Sequence, residues 1–339
     1  MTDISTVILY IYAEVMMIEA LVEVVRGEVD AKDVEGEGVR IGGQIVGDVR
    51  FADDQGMVAS SEAGLQRTVN RLNDTAKKFD MKINVQKTKV MVVSKAGDKF
   101  VNITIDGQRV EQVSSFKYLG SNISEDGRCV NDIRCRIAMA KEAFNSRKVL
   151  LSKRWDKALK KRMIKVLIWP IVLYGCETWT LLQEDIDRLQ ALEMWLWRQL
   201  EGVRWEDHIS NEIVLERVEE TRGLMKAIWQ RKKNWIGHVL RGNGLLRDVL
   251  EGSVEGAKIR GRPRMKMLDD LMEDIDKEVW VAERRKKRDS DKAEKDSKKK
   301  GRKGCEARIS KVQENRYEVM KRMAEDRVGW RRWMPATCR

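Results

Sequence analysis

The chain has 339 residues, of which 42% are hydrophobic and 35% charged, and its formal net charge at pH 7 is +12. This composition excludes wholesale disorder and leaves room for two or three domains, because enough apolar side chains are present to form cores. The five cysteines are odd in number and scattered, which argues against a disulfide framework. We therefore expect an intracellular protein, nuclear or cytoplasmic, that is not secreted.

An apolar stretch at residues 7–25 is the first predicted element. Glu14, Glu19 and Glu23 make it unsuitable as a membrane span, because a charge at the bilayer centre costs about 2.5–3.5 kcal/mol. The stretch also lacks the basic segment and the cleavage site of a signal peptide. We predict a buried amphipathic helix here and no membrane partner.

Two short strands and an acidic turn come next. Val39–Ile41 and Gln44–Val46 flank a Gly-Gly pair, which predicts a hairpin. Phe51–Asp54, with the sequence FADD, follows a further short strand. Two adjacent carboxylates at a hairpin tip can hold a catalytic Mg²⁺, which prefers hard oxygen ligands. A solvated turn between strands is the alternative role for such a pair.

A helix is predicted after the acidic turn. Ser60–Glu62 is a plausible helix start. Downstream of it, apolar residues recur at alternating steps of four and three, at Leu65, Val69, Leu72, Ala76 and Phe79. The chain continues with residues 82–89 (KINVQKTK), a β-rich run at 90–93 and residues 116–120 (FKYLG). This order of strand, turn, helix, strand and hairpin predicts an α+β fold.

Taken together, these motifs resemble the reverse transcriptase of non-LTR (LINE-type) retrotransposons. In that family an F/Y-A-D-D turn, a helix, an L-K-I-N-x-x-K-T segment and an F-K-Y-L-G segment occur in this order. Residues 169–179 (WPIVLYGCETW) resemble the P-x-L-L-Y-G-x-E-x-W region that follows the palm. Residues 235–241 and 261–264 resemble the family's W-x-G-H-x-x-R and G-R-P-R segments, and residues 326–332 are a weaker match.

The resemblance implies RNA-directed DNA polymerase chemistry, a nucleotidyltransferase reaction by two-metal transfer. Its partners would be an RNA template, an RNA/DNA duplex and deoxynucleotides, with Mg²⁺ as cofactor. Asp53 would bind the metal and Asp54 would contribute beside it. Lys87 would be a proton donor or a charge stabiliser for departing pyrophosphate, and an exposed strand lysine is the alternative. The primer-grip hairpin of the family is matched by Tyr118, Leu119 and Gly120.

The chain departs from the family in one respect. The family's other catalytic aspartate comes from a strand many tens of residues upstream of the acidic turn, and only fifty residues precede Phe51. Residues 8–17 resemble the end of the family's template-contacting helix. We therefore predict a partial palm that lacks its first strand and exposes sheet edges. Mg²⁺ would then bind weakly or not at all, and the truncated chain would be inactive alone.

The second half is predicted to be mostly helical and to correspond to the family's thumb. All eleven tryptophans lie after residue 150. We expect most of them to fill seams between helices and no more than two or three to be exposed. The predicted helices are Ile133–Leu151, Lys157–Leu167, Glu184–Leu200, Asn211–Val218, Met225–Val239, Met265–Lys277 and Ser310–Ala324.

Positive charge is concentrated between Glu283 and Lys303, where twelve Lys and Arg residues accompany five Asp and Glu. Such a run can be a solvated linker, a salt-sensitive phosphate-binding segment or a nuclear-entry signal. Residues 260–263 (RGRP) could also enter a narrow minor groove. The predicted nucleic-acid-binding residues are Arg260, Arg262, Arg264, Arg284, Arg285, Lys286, Lys287, Arg288, Lys298, Lys299 and Lys300.

These observations predict four segments. Residues 1–125 form the partial palm, 126–278 the helical thumb-like region, 279–308 a basic linker and 309–339 a C-terminal helix and tail. The predicted function is that of a reverse transcriptase fragment derived from a retrotransposon. The alternatives are a non-catalytic remnant that binds RNA or DNA nonspecifically, and a helical protein-interaction module.

Overall fold

The computed structural model describes residues 6–12, 38–41, 43–51, 54–94, 99–147, 152, 155–251, 267–269, 271 and 316–333. The fold is α+β, as predicted. It divides into two compact units, Met1–Cys135 with Gly244–Arg262, and Arg136–Asn243 with Pro263–Arg339. The predicted segment boundaries at residues 125, 278 and 308 stay predictions. In the part of the chain that is described, no helix has the length and apolarity to cross a bilayer.

The first unit contains short strands and one long helix. In chain order its elements are β1 (Thr6–Tyr12), β2 (Val39–Ile41), β3 (Gln44–Val46), β4 (Asp48–Phe51), β5 (Asp54–Ala59), α1 (Glu62–Lys78), β6 (Lys89–Val93), β7 (Thr104–Ile105), β8 (Gln108–Arg109), β9 (Glu111–Gln112), β10 (Ser115–Tyr118) and β11 (Ser121–Ser124). The predicted hairpin is confirmed, because β2 and β3 pair in antiparallel register.

The main sheet has the strand order β4-β5-β1-β6-β9. Its central strand, β1, is antiparallel to both neighbours and covers the inner edges of β5 and β6. The prediction of a helix is therefore wrong for residues 7–12, and so is the expectation that these edges are exposed. The sequence TVILYIY is rich in β-branched and aromatic residues, and a central strand satisfies its backbone groups on both sides. The rest of the predicted helix, 13–25, lies outside the described residues.

Helix α1 packs on this sheet through its predicted apolar face. Ser61 caps the helix by accepting a hydrogen bond from the backbone N–H of Gly64 at 3.1 Å. Leu65 and Val69 are fully buried in a core shared with strand residues such as Met57 and Val90. Each such side chain contributes about 1.5–3 kcal/mol of burial free energy. The periodicity of the sequence thus predicted both the helix and its buried face.

The second unit is helical. Its elements are α2 (Val130–Ser146, which begins in the first unit), α3 (Lys157–Met163), a π-helical turn (Ile164–Ile168), α4 (Trp169–Val172), a 3₁₀ turn (Cys176–Thr178), α5 (Gln183–Glu201), a 3₁₀ turn (Trp205–Asp207), α6 (Asn211–Val218), α7 (Leu224–Arg241), α9 (Arg316–Glu325) and α10 (Arg327–Arg332); α8 (Leu245–Glu251) belongs to the first unit. The predicted helices agree with these bounds to within a few residues, where they are described. Most of Met265–Lys277 and the start of Ser310–Ala324 lie outside the described residues.

Tryptophans fill much of the core of the second unit. Trp179, Trp197 and Trp330 are at most 2% exposed. Among the described tryptophans, Trp155 and Trp205 are exposed, at 47% and 81%, which agrees with the predicted small number. The described tryptophans of the second unit therefore serve mainly in packing, and few of them are available to stack on bases.

Candidate active site

The acidic turn joins β4 to β5 at one end of the main sheet. β4 ends at Phe51, β5 begins at Asp54, and the two residues are direct cross-strand partners. Asp54 is half-buried and is also the partner of Tyr12, the last residue of β1. Asp53 lies outside the described residues. The structure therefore places one of the two predicted metal ligands, Asp54, where β1, β4 and β5 meet.

The segment that contains Lys87 lies at this same end of the sheet. Because β6 is antiparallel to β1, with Lys89 opposite Tyr10, the start of β6 lies near the end of β1. The acidic turn and the turn before β6 thus flank β1, one on each side. Lys87 is exposed there.

Asn84 organises the turn that carries Lys87. Its side-chain oxygen accepts a hydrogen bond from the backbone N–H of Lys87 at 3.1 Å. Its carbonyl accepts one from the hydroxyl of Thr88 at 2.7 Å, and Thr88 is fully buried. The N-x-x-K-T pattern therefore has a structural basis: the Asn and Thr hold the turn while the Lys side chain stays exposed.

The predicted primer-grip residues form a two-residue β-hairpin turn. Tyr118 pairs with Ser121, and Leu119 and Gly120 between them have φ values of 46° and 81°. Two successive residues with positive φ are the requirement of a type I′ turn, which suits the twist of a hairpin. Gly120 adopts this conformation freely, whereas Leu119 adopts it under strain. The backbone geometry of this hairpin is thus set by the Leu-Gly pair.

Tyr118 lies close to the acidic turn. Its hydroxyl oxygen is 3.5 Å from the carbonyl oxygen of Val49, in the strand that leads into the turn. Burial, and then the negative charge of Asp54, raise the pKa of Tyr118. The structure therefore brings together two predicted site residues from motifs that are well separated in sequence. Sequence reasoning placed Tyr118 only in the primer-grip hairpin and missed this contact, which no spacing in the sequence signals.

The described residues at this end of the sheet do not by themselves make up the ligand set of a two-metal centre. Within the described residues, no group of three or more His, Cys, Asp or Glu side chains could hold a metal ion. β1 is the strand next to the acidic turn, and Thr6–Tyr12 contains no Asp or Glu. Mg²⁺ needs several oxygen ligands from the protein or its substrate. We therefore derive no metal-dependent step from these residues.

The predicted nucleic-acid-binding residues, from Arg260 to Lys300, all lie outside the described residues. No protein-family model matches the chain. The chain is similar to an uncharacterized transposon-derived protein of Caenorhabditis elegans, with 24% identity over 208 residues, which is 60% of this chain and 75% of that protein. This similarity indicates a transposon origin.

Proposed function

We propose that this chain derives from a non-LTR retrotransposon reverse transcriptase and that it binds RNA and RNA/DNA duplex but does not extend a primer by itself. One observation carries this proposal: the acidic turn and the Lys87 turn flank a central strand, β1, that contains no carboxylate. The motif order in the sequence and the transposon-derived relative support the same origin.

The proposed roles of the site residues come from the resemblance to the family. Asp53 and Asp54 are the proposed metal-binding pair, and Lys87 is the proposed contact for a triphosphate or pyrophosphate. Tyr118 and its hairpin are the proposed contact for a primer strand. When catalytic groups act as a unit, removing one of them abolishes nearly all activity. We therefore expect that a site with this single acidic pair does not catalyse nucleotidyl transfer.

Duplex binding is proposed from charge. The net charge of +12 and the basic run at 283–303 favour contacts to phosphates, which release counterions and need no metal. Such binding is independent of sequence and weakens steeply as salt is raised. The proposed partners are an RNA template and an RNA/DNA hybrid.

The test is primer extension on an RNA template, with Mg²⁺ and separately with Mn²⁺, together with duplex binding measured by fluorescence anisotropy over a range of salt. We expect no extension with either metal, and binding that needs no Mg²⁺ and falls with salt. Asp53→Asn is the control variant. Extension that is lost in Asp53→Asn would show that the missing carboxylate is supplied, and the inactivity proposed here would be wrong.

Duplex binding separates this proposal from the protein-interaction alternative. A chain that binds no duplex even at low salt would favour the helical interaction module. Substituting Lys298, Lys299 and Lys300 together by Gln should reduce the slope of log K against log salt by up to about 2.7, or about 0.9 per phosphate contact. An equal change on substituting three exposed arginines of the first unit by Gln, Arg40, Arg67 and Arg109, would assign the effect to net charge alone.

A further inference from the structure

The C-terminal helices of the second unit are fixed against α7 by buried contacts. The ammonium group of Lys233, which is 0% exposed, donates hydrogen bonds to the carbonyls of Trp333 and Arg331. In return, the indole N–H of Trp330 donates to the carbonyl of Lys233 at 3.1 Å. Because these bonds are buried, they hold α10 in one position along α7.

This attachment brings three arginines to one surface. Arg241 ends α7, and its guanidinium donates a hydrogen bond to the carbonyl of Ala324 at 2.8 Å, near the end of α9. Arg327 begins α10 three residues later, and Arg331 follows by one helical turn. All three side chains are exposed. We call Arg241, Arg327 and Arg331 the arginine cluster.

The arginine cluster is not neutralised by the rest of the described chain. No described carboxylate forms an ion pair with any of its three members. The nearby Asp326 carboxylate is the N-cap of α10, where it accepts hydrogen bonds from the backbone N–H groups of Val328 and Gly329. Partial desolvation of its guanidinium, and then the charges of Arg327 and Arg331, lower the pKa of Arg241, although the side chain as a whole is exposed. The three like charges thus raise one another's energy.

Two other cations of the second unit illustrate the contrast, because each is paired with a carboxylate. Lys165 forms an ion pair with Glu220 at 2.8 Å, and Arg188 forms one with Asp185 at 3.0 Å. The arginine cluster differs because the fold holds its charges together without a described counter-charge. An anion bound there would replace repulsion by charge-assisted hydrogen bonds, which arginine makes well with phosphate oxygens.

We infer that the arginine cluster binds backbone phosphates of a nucleic-acid duplex. This inference rests on the proposed function and adds a site to it. The three side chains are exposed and come from two different helices. Arg327 and Arg331, four residues apart on one helix, are about 6 Å apart along its axis. That arrangement suits a row of phosphates along a strand better than one small anion, and it carries no means of reading base sequence.

The test uses the double variant Arg327→Gln/Arg331→Gln, since neither side chain has an ion-pair partner in the described residues. The matched control is Arg40→Gln/Arg109→Gln, which removes the same charge from exposed positions of the first unit. Binding to a fluorescent RNA/DNA hybrid is measured over a range of salt. We expect the double variant to bind about tenfold or more weakly at low salt, with a salt slope about 1.8 smaller than the wild type, because two phosphate contacts are lost.

A second measurement distinguishes a loss of binding from a folding defect. Unfolding followed by tryptophan fluorescence should show the double variant to be as stable as the wild type or more stable, because a repulsion is removed. If the double variant and the control both bind duplex with the same salt slope, the arginine cluster is not the binding site. The proposed function would be unaffected by that result. Absence of duplex binding by the wild type at low salt would overturn both. A third outcome is that the wild type binds anionic lipid vesicles but not duplex, and that the double variant no longer binds the vesicles. That outcome would overturn the assignment to nucleic acid.

Discussion

Trp330 lies directly over Gly237 in the second unit. A Cβ atom at position 237 would fall 2.1 Å from Nε1 of Trp330, which is closer than atoms can approach. Gly237 is the glycine of the W-x-G-H-x-x-R motif, and Trp330 lies in the segment at 326–332. Two motifs that the sequence presents separately are therefore parts of one packing contact, which holds α10 on α7.

Gly237→Ala should destabilise the second unit by about 2 kcal/mol or more, because the tryptophan must move and its hydrogen bond to Lys233 is lost. Urea unfolding followed by tryptophan fluorescence is a suitable measurement, since all eleven tryptophans lie after residue 150. Gly244→Ala is the control, because a Cβ there would meet no atom within 4 Å. Equal stability of the two variants would contradict the close packing of Trp330 on Gly237.

Tyr118 and Asp54 offer a test of the candidate site that does not depend on catalysis. Because the charge of Asp54 helps to raise the pKa of Tyr118, Asp54→Asn should lower that pKa. NMR titration of labelled tyrosine rings measures it, and Tyr118→Phe identifies the resonance among the five tyrosines. Asp74→Asn, which removes an exposed charge from α1, should leave the pKa unchanged. If the pKa of Tyr118 were the same in Asp54→Asn as in the wild type, the two side chains would not lie close enough to interact.

Leu119 has a positive φ of 46° in the turn between β10 and β11. This conformation costs an ordinary L-residue about 1–2 kcal/mol, and Asn tolerates it better. Leu119→Asn should therefore stabilise the hairpin by about 1 kcal/mol, whereas Gly120→Ala should destabilise it by a similar amount. Amide hydrogen exchange in Ser115–Ser124 is the direct measurement. If exchange in the Leu119→Asn variant were faster than in wild type, contacts of the leucine side chain would have to outweigh the backbone strain.

Local patterns in the sequence predicted local structure well. The alternating steps of four and three placed α1 and its buried face, and the Gly-Gly pair placed the β2–β3 hairpin. Both elements are specified by residues within a single short segment. Helix α6, Asn211–Val218, was predicted with the bounds that the structure has.

Contacts between distant segments were not predictable from these patterns. Thr6–Tyr12 is a strand because β5 and β6, dozens of residues away, pair with both of its edges, and an apolar run of seven residues fits a helix equally well. The proximity of Tyr118 and Asp54 depends in the same way on tertiary packing. So does the arginine cluster. The sequence patterns therefore did not reveal that Thr6–Tyr12 is a strand beside the acidic turn, and this strand contains no carboxylate.

Glu193 in α5 is a buried carboxylate at the start of α7. It is 1% exposed, and its Oε1 accepts hydrogen bonds from the backbone N–H groups of Gly223 at 2.7 Å and Leu224 at 3.0 Å. Its Oε2 has no hydrogen-bond partner among the described residues. Burial raises the pKa of Glu193, and the two N–H groups oppose that rise only in part.

The raised pKa fixes the sign of a pH effect on stability. The folded state holds the proton of Glu193 more tightly than the unfolded state, whose glutamate pKa is about 4.3. The resulting stabilisation is complete below that pH and is lost as pH rises through the raised pKa. Relative to Glu193→Gln, which does not titrate, the wild type should therefore lose unfolding free energy as pH increases through this window.

Glu212, in the first turn of α6, is the matched control because its pKa changes in the opposite direction. Hydrogen bonds from its own backbone N–H and from Ser210 lower the pKa of Glu212. Its contribution to stability is present above the ordinary glutamate pKa and is lost as pH falls, so the comparison of wild type with Glu212→Gln should have the opposite slope. Urea unfolding at a series of pH values measures both. If the difference between wild type and Glu193→Gln did not change with pH, Glu193 would titrate as an ordinary solvated carboxylate, and its burial at the start of α7 would be wrong.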